Sequence, residues 1–262
     1  MKTYHYLIEI QYLGFRYHGW QKQPGLKTVQ GMLEKTFTFI FGHSEFKTLG
    51  AGRTDAMVST NKTAFELFLR QPVDTTHLVR DLNFNLPPDI NILSVKEVDE
   101  KFNILQNAKE KEYLYLFAFG KRNHPFAAPF MAYVREELDI GLMEKGARLF
   151  LGTHDFRRYA YKPGKGRVFQ REIKTSEIVK NDLFSANFFP QDSYLYRVSG
   201  SGFMRYQVRI MAAALIKLGK GELTLEEIKD SLKGEDSGLM CPMAPPSGLI
   251  LNSVDFDFGK KA

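Results

Sequence analysis

The sequence predicts an α+β protein of two halves, on three observations. Runs of period-two alternation recur along the chain, and apolar stripes at helical spacing fall between them. In the first third the two kinds of run follow the order β-α-β-β-α-β, that of a ferredoxin-like or RNA-recognition-type split βαβ unit. The second part repeats the mixture more loosely. A chain of 262 residues is long enough for one large domain or two of about 130 residues each.

Taken in order, Tyr4 to Tyr12 alternates Tyr4, Tyr6, Ile8 and Ile10 with His5, Leu7, Glu9 and Gln11, which predicts a strand with one apolar face. A Gly-containing loop runs from Gly14 to Lys27. Thr28 is placed to cap a helix in which Val29, Met32, Leu33, Phe37, Ile40 and Phe41 recur at helical spacing, and Gly42 stops it. Phe46 to Leu49 is a short strand leading into the run GAGRTDA. Thr63 to Leu69 alternates again. Asp74 caps a short helix through Leu82, Leu86-Pro87-Pro88 breaks the chain, and Ile90 to Val98 resumes as a strand.

In the second half, Glu112 to Phe119 (EYLYLFAF) reads as a strand, and Gly141 to Leu151 as a helix with Met143, Ala147 and Leu151 on one side. Three strands are expected at Glu172–Val179, Leu183–Phe189 and Tyr194–Ser199. A helix is expected from Phe203 to Leu218, with Gln207, Met211, Ala214, Leu215 and Leu218 inward and Gly219 at its end. A short helix at Leu223–Leu232 and a closing strand at Leu249–Phe258 complete the reading. The division falls near residue 105, giving halves 1–105 and 106–262.

Composition narrows the function. The chain is 44% hydrophobic and 25% charged, as expected of a globular protein. A net charge of +6 suits a polyanionic partner, and equally a mildly basic protein with none. One cysteine, Cys241, allows neither an intramolecular disulfide nor a thiolate metal site, and the six histidines have no ligand spacing. No metal is therefore expected. The N-terminal run MKTYHYLIEIQYLGF lacks an apolar h-region, and no stretch approaches the roughly 20 apolar residues of a membrane span. A cytoplasmic protein without membrane contact is the expectation.

Four segments carry possible chemistry. In Gly50-Ala51-Gly52-Arg53-Thr54-Asp55-Ala56 the glycines permit a tight turn that lifts side chains into a cleft. Arg53 and Asp55, two apart in an extended segment, project to one side, and a cation there keeps a nucleophilic carboxylate ionised. The same pattern also fits a surface turn with a local ion pair. Tyr113 and Tyr115 share one strand face, where a ring either stacks on a nucleobase or simply packs. Arg205 and Arg209, at i and i+4 of the expected helix, share a face opposite Met211, Leu215 and Leu218, and are either solvated or paired to a carboxylate. From His154 to Lys174, basic residues including Arg157, Arg158, Lys162, Lys165 and Arg167 interleave with Phe156, Tyr159, Tyr161 and Phe169. That suits a loop gripping RNA, or a solvated charged loop.

At GAGRTDA these pieces join. The run resembles the signature of the tRNA pseudouridine synthase A family, in which the Asp is catalytic, and further features recur in order. Tyr12-Leu13-Gly14 with Tyr17-His18-Gly19-Trp20-Gln21-Lys22-Gln23 is similar to the family's opening "YxG…YxGWQxQ", and Thr28-Val29-Gln30 to the start of its first helix. Asn83 with Leu86-Pro87 and Ile90 resembles "N…LP…I", and Lys111 to Tyr115 falls where the family has a tyrosine-containing strand. Thr153-His154-Asp155-Phe156 looks like its "HDF" run. Gly202-Phe203-Met204 with Val208-Arg209 is similar to "GF(L/M)…VR", and Ala244-Pro245 with Gly248-Leu249 to "AP…GL".

The resemblance implies two ferredoxin-like halves forming one continuous antiparallel sheet flanked by helices, with a central RNA-binding cleft. It implies an RNA pseudouridine synthase acting on uridines of the tRNA anticodon stem-loop, without a cofactor, as a homodimer. Asp55 would act at the ribose C1′ of the target uridine, either adding to it or acting as a base on the sugar, Tyr113 would stack on the uracil, Arg209 would pair with Asp55 and hold it ionised, and Arg53 would help displace or replace the flipped nucleotide. The chain departs from the pattern in places. Where the family continues "GRTDAGVHA" it reads Met57-Val58-Ser59-Thr60, and where the family has "FHARF" it reads Phe102-Asn103-Ile104-Leu105-Gln106. These changes keep open the same chemistry at another RNA site, or a catalytically silent RNA-binding protein. A two-module RNA-recognition protein is disfavoured, since that fold's aromatic signature is missing.

Overall fold

The computed structural model describes residues 2–162, 166, 168–235 and 238–258. In chain order the elements are β1 (Tyr4–Tyr12), α1 (Val29–Phe41), β2 (Phe46–Gly50), β3 (Ser59–Leu69), α2 (Thr75–Asn85), β4 (Ile90–Val98), β5 (Ala108–Phe119), β6 (Ala132–Val134), α3 (Ile140–Arg148), β7 (Gly152–Asp155), β8 (Gln170–Lys180), β9 (Tyr194–Gly200), α4 (Gln207–Gly219), α5 (Leu225–Ser231) and β10 (Leu249–Phe256). They form two compact units. One comprises Met1–Lys109 with Leu251–Ala262, the other Glu110–Ile250.

In the first unit β1 lies between β4 and β3, antiparallel to both, and β2 adds antiparallel to β3. The residues 251–256 of β10 run beside β3, where the Thr60 hydroxyl donates to the Leu251 carbonyl at 2.8 Å. Alternation decides which face is covered. Tyr6, Ile8 and Ile10 of β1 and Phe65, Leu67 and Leu69 of β3 meet Val29, Leu33 and Phe37 of α1 and Leu78 and Leu82 of α2 in one core. Each such buried side chain contributes roughly 1.5–3 kcal/mol by leaving water. The helices begin and end where expected: the Thr28 hydroxyl accepts from the Gly31 amide, Gly42 takes φ 72°, and Asp74 accepts from the His77 amide. The face away from the helices carries Glu66, only 1% exposed, with His5 Nδ1 at 3.1 Å and the Ile104 amide donating at 3.3 Å. Burial pushes the Glu66 carboxyl above its ordinary range, against the opposing pull of those two partners.

In the second unit β9 lies between β5 and β8, and β7 adds to β8, all antiparallel, while short β6 runs parallel to β5. α4 is buried nearly all round, and α3 packs on it through Gly146, where a Cβ would lie 2.3 Å from Leu218.

Two expectations fail here. Leu183–Phe189 is not a strand. The Asn181 side chain accepts from the Phe184 amide and donates to the Phe184 carbonyl and to Ser193 Oγ, closing a turn, and Phe188 and Phe189 pack with Phe130 instead of entering a ladder. The helix expected from Phe203 begins only at Gln207, because Tyr206 adopts a left-handed conformation and the Gln207 side chain accepts from the Met204 amide. Arg205 therefore precedes the helix and shares no helical face with Arg209.

Candidate active site

The loop between β2 and β3 carries Arg53, exposed, and Asp55, half-buried. Its shape is imposed from outside by the run 12–20. The register of β1 on β3 shifts between Ile10 and Tyr12, and the Tyr12 hydroxyl lies 2.8 Å from the Thr54 hydroxyl. The Trp20 amide donates to the Thr54 carbonyl at 3.1 Å and the Met57 amide to the Tyr17 carbonyl at 3.0 Å, so Asp55 is bracketed on both sides. Two glycines make the approach possible. A Cβ at Gly14 would lie 2.0 Å from the Val58 carbonyl oxygen, and one at Gly19, whose φ is +87°, would lie 2.6 Å from that of Thr54. The Trp20 indole rests on Gly50, where a Cβ would come within 2.5 Å of its Nε1.

This bracing run is itself fixed. Arg16 Nε donates to Asp89 at 2.6 Å, the Tyr17 hydroxyl donates to the other Asp89 oxygen at 2.7 Å, and the Leu13 amide donates to the Asp89 carbonyl. Burial opposes ionisation of Asp89, but Arg16 and Tyr17 outweigh it and hold the carboxyl below the usual range. Burial and the bond to Asp89 push the Tyr17 phenol far up, so it stays a donor. The polar residue just after Leu86-Pro87-Pro88 is thus a scaffold residue that sequence reasoning passed over. Its one signal is a carboxylate opposite an arginine-tyrosine pair.

The departures after Asp55 acquire roles here. Met57 takes φ 66°, a conformation glycine enters without strain. Ser59 Oγ accepts the Gly14 amide at 3.0 Å, and Thr60 makes the bond to Leu251 already described. In the stretch 102–106, Asn103 Oδ1 accepts the amides of Leu105 and Gln106, a local turn, and Leu105 is 57% exposed.

The second unit holds Tyr113 and Arg209. Tyr113 is half-buried with its ring edge-on to Phe203, centroids 5.2 Å apart. Its neighbour Tyr115 is buried, donates to the Pro245 carbonyl at 3.0 Å, and is a packing residue rather than a platform. Arg209 Nε donates to the Ala244 carbonyl at 2.8 Å, and the Ala244 amide donates back to the Arg209 carbonyl at 3.1 Å. Its guanidinium carbon lies 5.4 Å from the Tyr206 ring centroid. The "VR" and "AP" runs, far apart in sequence, are one structure. Burial lowers the pKa of half-buried Lys111, two residues before Tyr113.

The basic segment is more structured than a free loop. β7 and β8 pair across it, from Gly152↔Ile173 to Asp155↔Gln170. Arg157 donates through Nε and Nη2 to the two Asp155 oxygens at 3.0 and 2.8 Å and lies over Phe169. The Arg158 carbonyl accepts the Met240 amide. Lys162, at φ 43°, places its ammonium 5.4 Å from the Tyr161 ring centroid. Lys165 and Arg167 lie outside the described residues. Among the described residues no group of three or more His, Cys, Asp or Glu is placed to hold a metal ion, and no helix is long and apolar enough to cross a membrane.

Known proteins resemble this chain over most of its length. A family model described as tRNA pseudouridine synthase matches residues 147–257. The tRNA pseudouridine synthase A of Dictyoglomus thermophilum is 31% identical over 251 residues, 95% of this chain and 98% of that one. A tRNA pseudouridine synthase A 2 of Bacillus cereus is 31% identical over 254 residues, 97% and 100% of the two chains. A solved archaeal box H/ACA Nop10–Cbf5 complex is similar at a TM-score of 0.34 and 14% identity over 83% of this chain and 54% of that one, too slight a likeness to carry weight. The two relatives align from end to end and so take in the braced Asp55 loop and the Arg209–Ala244 pair alike: the chain belongs to the tRNA pseudouridine synthase A family.

Proposed function

We propose that this protein isomerises uridine to pseudouridine in tRNA, in the anticodon stem-loop, with Asp55 as the catalytic residue. The bracketing of Asp55 by the Trp20–Thr54 and Met57–Tyr17 hydrogen bonds carries the reading, because a group that must meet one ribose carbon needs a fixed backbone. The reaction breaks the N1–C1′ bond, turns the base and forms C5–C1′. C5 loses a proton and N1 gains one, so no cofactor is consumed. Tyr113 stacks on the uracil, Arg209 pairs with Asp55 and holds it ionised, and Arg53 fills the place of the flipped nucleotide. Arg157, Arg158, Lys162, Lys165 and Arg167 grip phosphate.

The fold goes with this reading as two ferredoxin-like halves divided in sequence near residue 105, the closing residues 251–256 returning to the first, sharing one continuous sheet around an RNA-binding cleft. The strand order β4-β1-β3, with β2 on β3, supports that arrangement in the first half. The protein works in the cytoplasm as a homodimer. Exposed Leu105, which stands where the family has a basic residue, favours a second reading, the same chemistry at a different RNA site.

The test is a single-turnover assay following tritium release from C5-tritiated bulk tRNA, with Asp55→Ala as control. Release that vanishes in the variant, while RNA binding is kept, is the expected result. Release only from total cellular RNA moves the target elsewhere. No release from either leaves an RNA-binding protein.

A further inference from the structure

We infer that Tyr206 is a positioning residue for Arg209, and that its left-handed backbone serves to hold its ring against the Arg209 guanidinium. The inference rests on the reading of Arg209 as the partner of Asp55. The other four α-helices start on Thr28, Asp74, Asp139 and Thr224, each accepting a backbone amide of the first turn. α4 starts on Tyr206, which caps nothing and sits at φ 64°, ψ 3°. That conformation strains a bulky L residue, while Gly or Asn enters it readily. A strained residue that makes no cap bond is held by its other contacts, and those of Tyr206 are made by its ring and hydroxyl.

The ring has neighbours on several sides. The Arg209 guanidinium carbon lies 5.4 Å from its centroid and that of Arg205 4.7 Å. Arg205 Nη2 donates to its hydroxyl at 2.9 Å, and Tyr161 meets it edge-on with centroids 5.3 Å apart. Arg209 is thus held at two points, by the Ala244 carbonyl at Nε and by the Tyr206 ring beneath its guanidinium carbon. With Nε engaged by Ala244, the Nη nitrogens are the ones able to serve a carboxylate. Aiming them requires that the plane not rotate, and the ring of Tyr206 restrains that rotation.

The test compares Tyr206→Phe, which keeps the ring, with Tyr206→Asn, which suits the backbone and deletes it. In the full-length protein carrying 15N-labelled arginine, the Nε–H resonance of Arg209 is followed together with single-turnover tritium release from tRNA. Tyr206→Asn is expected to speed exchange of that proton and to lower the single-turnover rate constant about tenfold. RNA affinity should stay within about twofold and Tm should not fall. Tyr206→Phe is expected to restore both signals. Unchanged Nε–H exchange in Tyr206→Asn overturns the inference whatever the turnover. A Tyr206→Phe variant as impaired as Tyr206→Asn overturns it as well, since the ring is then not the operative part. Wild-type protein that releases no tritium refutes the proposed function instead, and the exchange measurement still decides the role of Tyr206.

Discussion

Gly14→Ala is the perturbation that loads the proposed active site most directly without touching a reacting group. The new methyl would lie 2.0 Å from the Val58 carbonyl oxygen, 2.4 Å from its carbon and 2.9 Å from the Val58 nitrogen. Side-chain carbons do not approach closer than about 3 Å, so the two segments must part by about 1 Å or more. All three atoms are backbone, and no rotamer change relieves the clash. The Gly14 amide is also bonded to Ser59 Oγ and the Val58 amide to the Asp55 carbonyl, so the displacement passes into the turn that carries Asp55. A misplacement of about 1 Å costs on the order of 100-fold in rate. The overpacking itself costs about 1–3 kcal/mol. The assay is single-turnover tritium release from C5-tritiated tRNA beside a thermal melt. A rate constant about 100-fold lower, with the protein still folded and RNA affinity kept, is expected. Wild-type turnover in Gly14→Ala would refute the reasoning, because the close approach would then not set the position of the loop.

Other substitutions test other parts of the structure. Gly141→Ala, in the first turn of α3, meets only Asp139 Oδ1 at 3.5 Å, so it should raise stability by about 0.5–1 kcal/mol, read as a higher Tm with unchanged turnover. Ser59→Ala strands the buried Gly14 amide and should cost about 1–3 kcal/mol in a denaturant titration; an unchanged midpoint would show that the bond is not needed. The Glu66 carboxyl is raised in the folded state, so its stabilising contribution is complete below the unfolded value and is lost as pH rises through the folded one. Glu66→Gln removes that loss, and its Tm advantage over wild type should widen from about pH 5 to about pH 8; a gap that narrows would reverse the sign assigned to the burial of Glu66.

Much of the fold is legible in the sequence because local signals and tertiary demands agree. The alternation of β1 marks its covered face, and Thr28 and Gly42 bound α1 as their chemistry dictates. Legibility stops where distant residues decide. Leu183–Phe189 is apolar enough for a strand, but Asn181 closes a turn and the rings find other rings. Helical spacing runs smoothly through Phe203–Tyr206, and nothing in it announces a left-handed Tyr206. The site shows the same division. Asp55, Tyr113 and Arg209 stand out in the sequence, and Ala244 stands out through its AP run although nothing there ties it to Arg209; Asp89, which fixes the run bracing Asp55, is an ordinary residue until folding brings it beside Arg16 and Tyr17.

The return of residues 251–256 to the side of β3 has a consequence for synthesis. Thr60 and Leu251, bonded in the folded protein, are 191 residues apart. At about 5–20 residues per second, a ribosome needs roughly 10–40 s to make the intervening chain. Throughout that interval the stretch of β3 edge that will face β10, opposite its β1 edge, has no strand beside it, while the second unit, continuous in sequence, is completed first. The unit that carries Asp55 is begun before the second unit and closed after it, and an unpaired strand edge is a template for aggregation. The nascent chain therefore depends most on protection at the end that has waited longest.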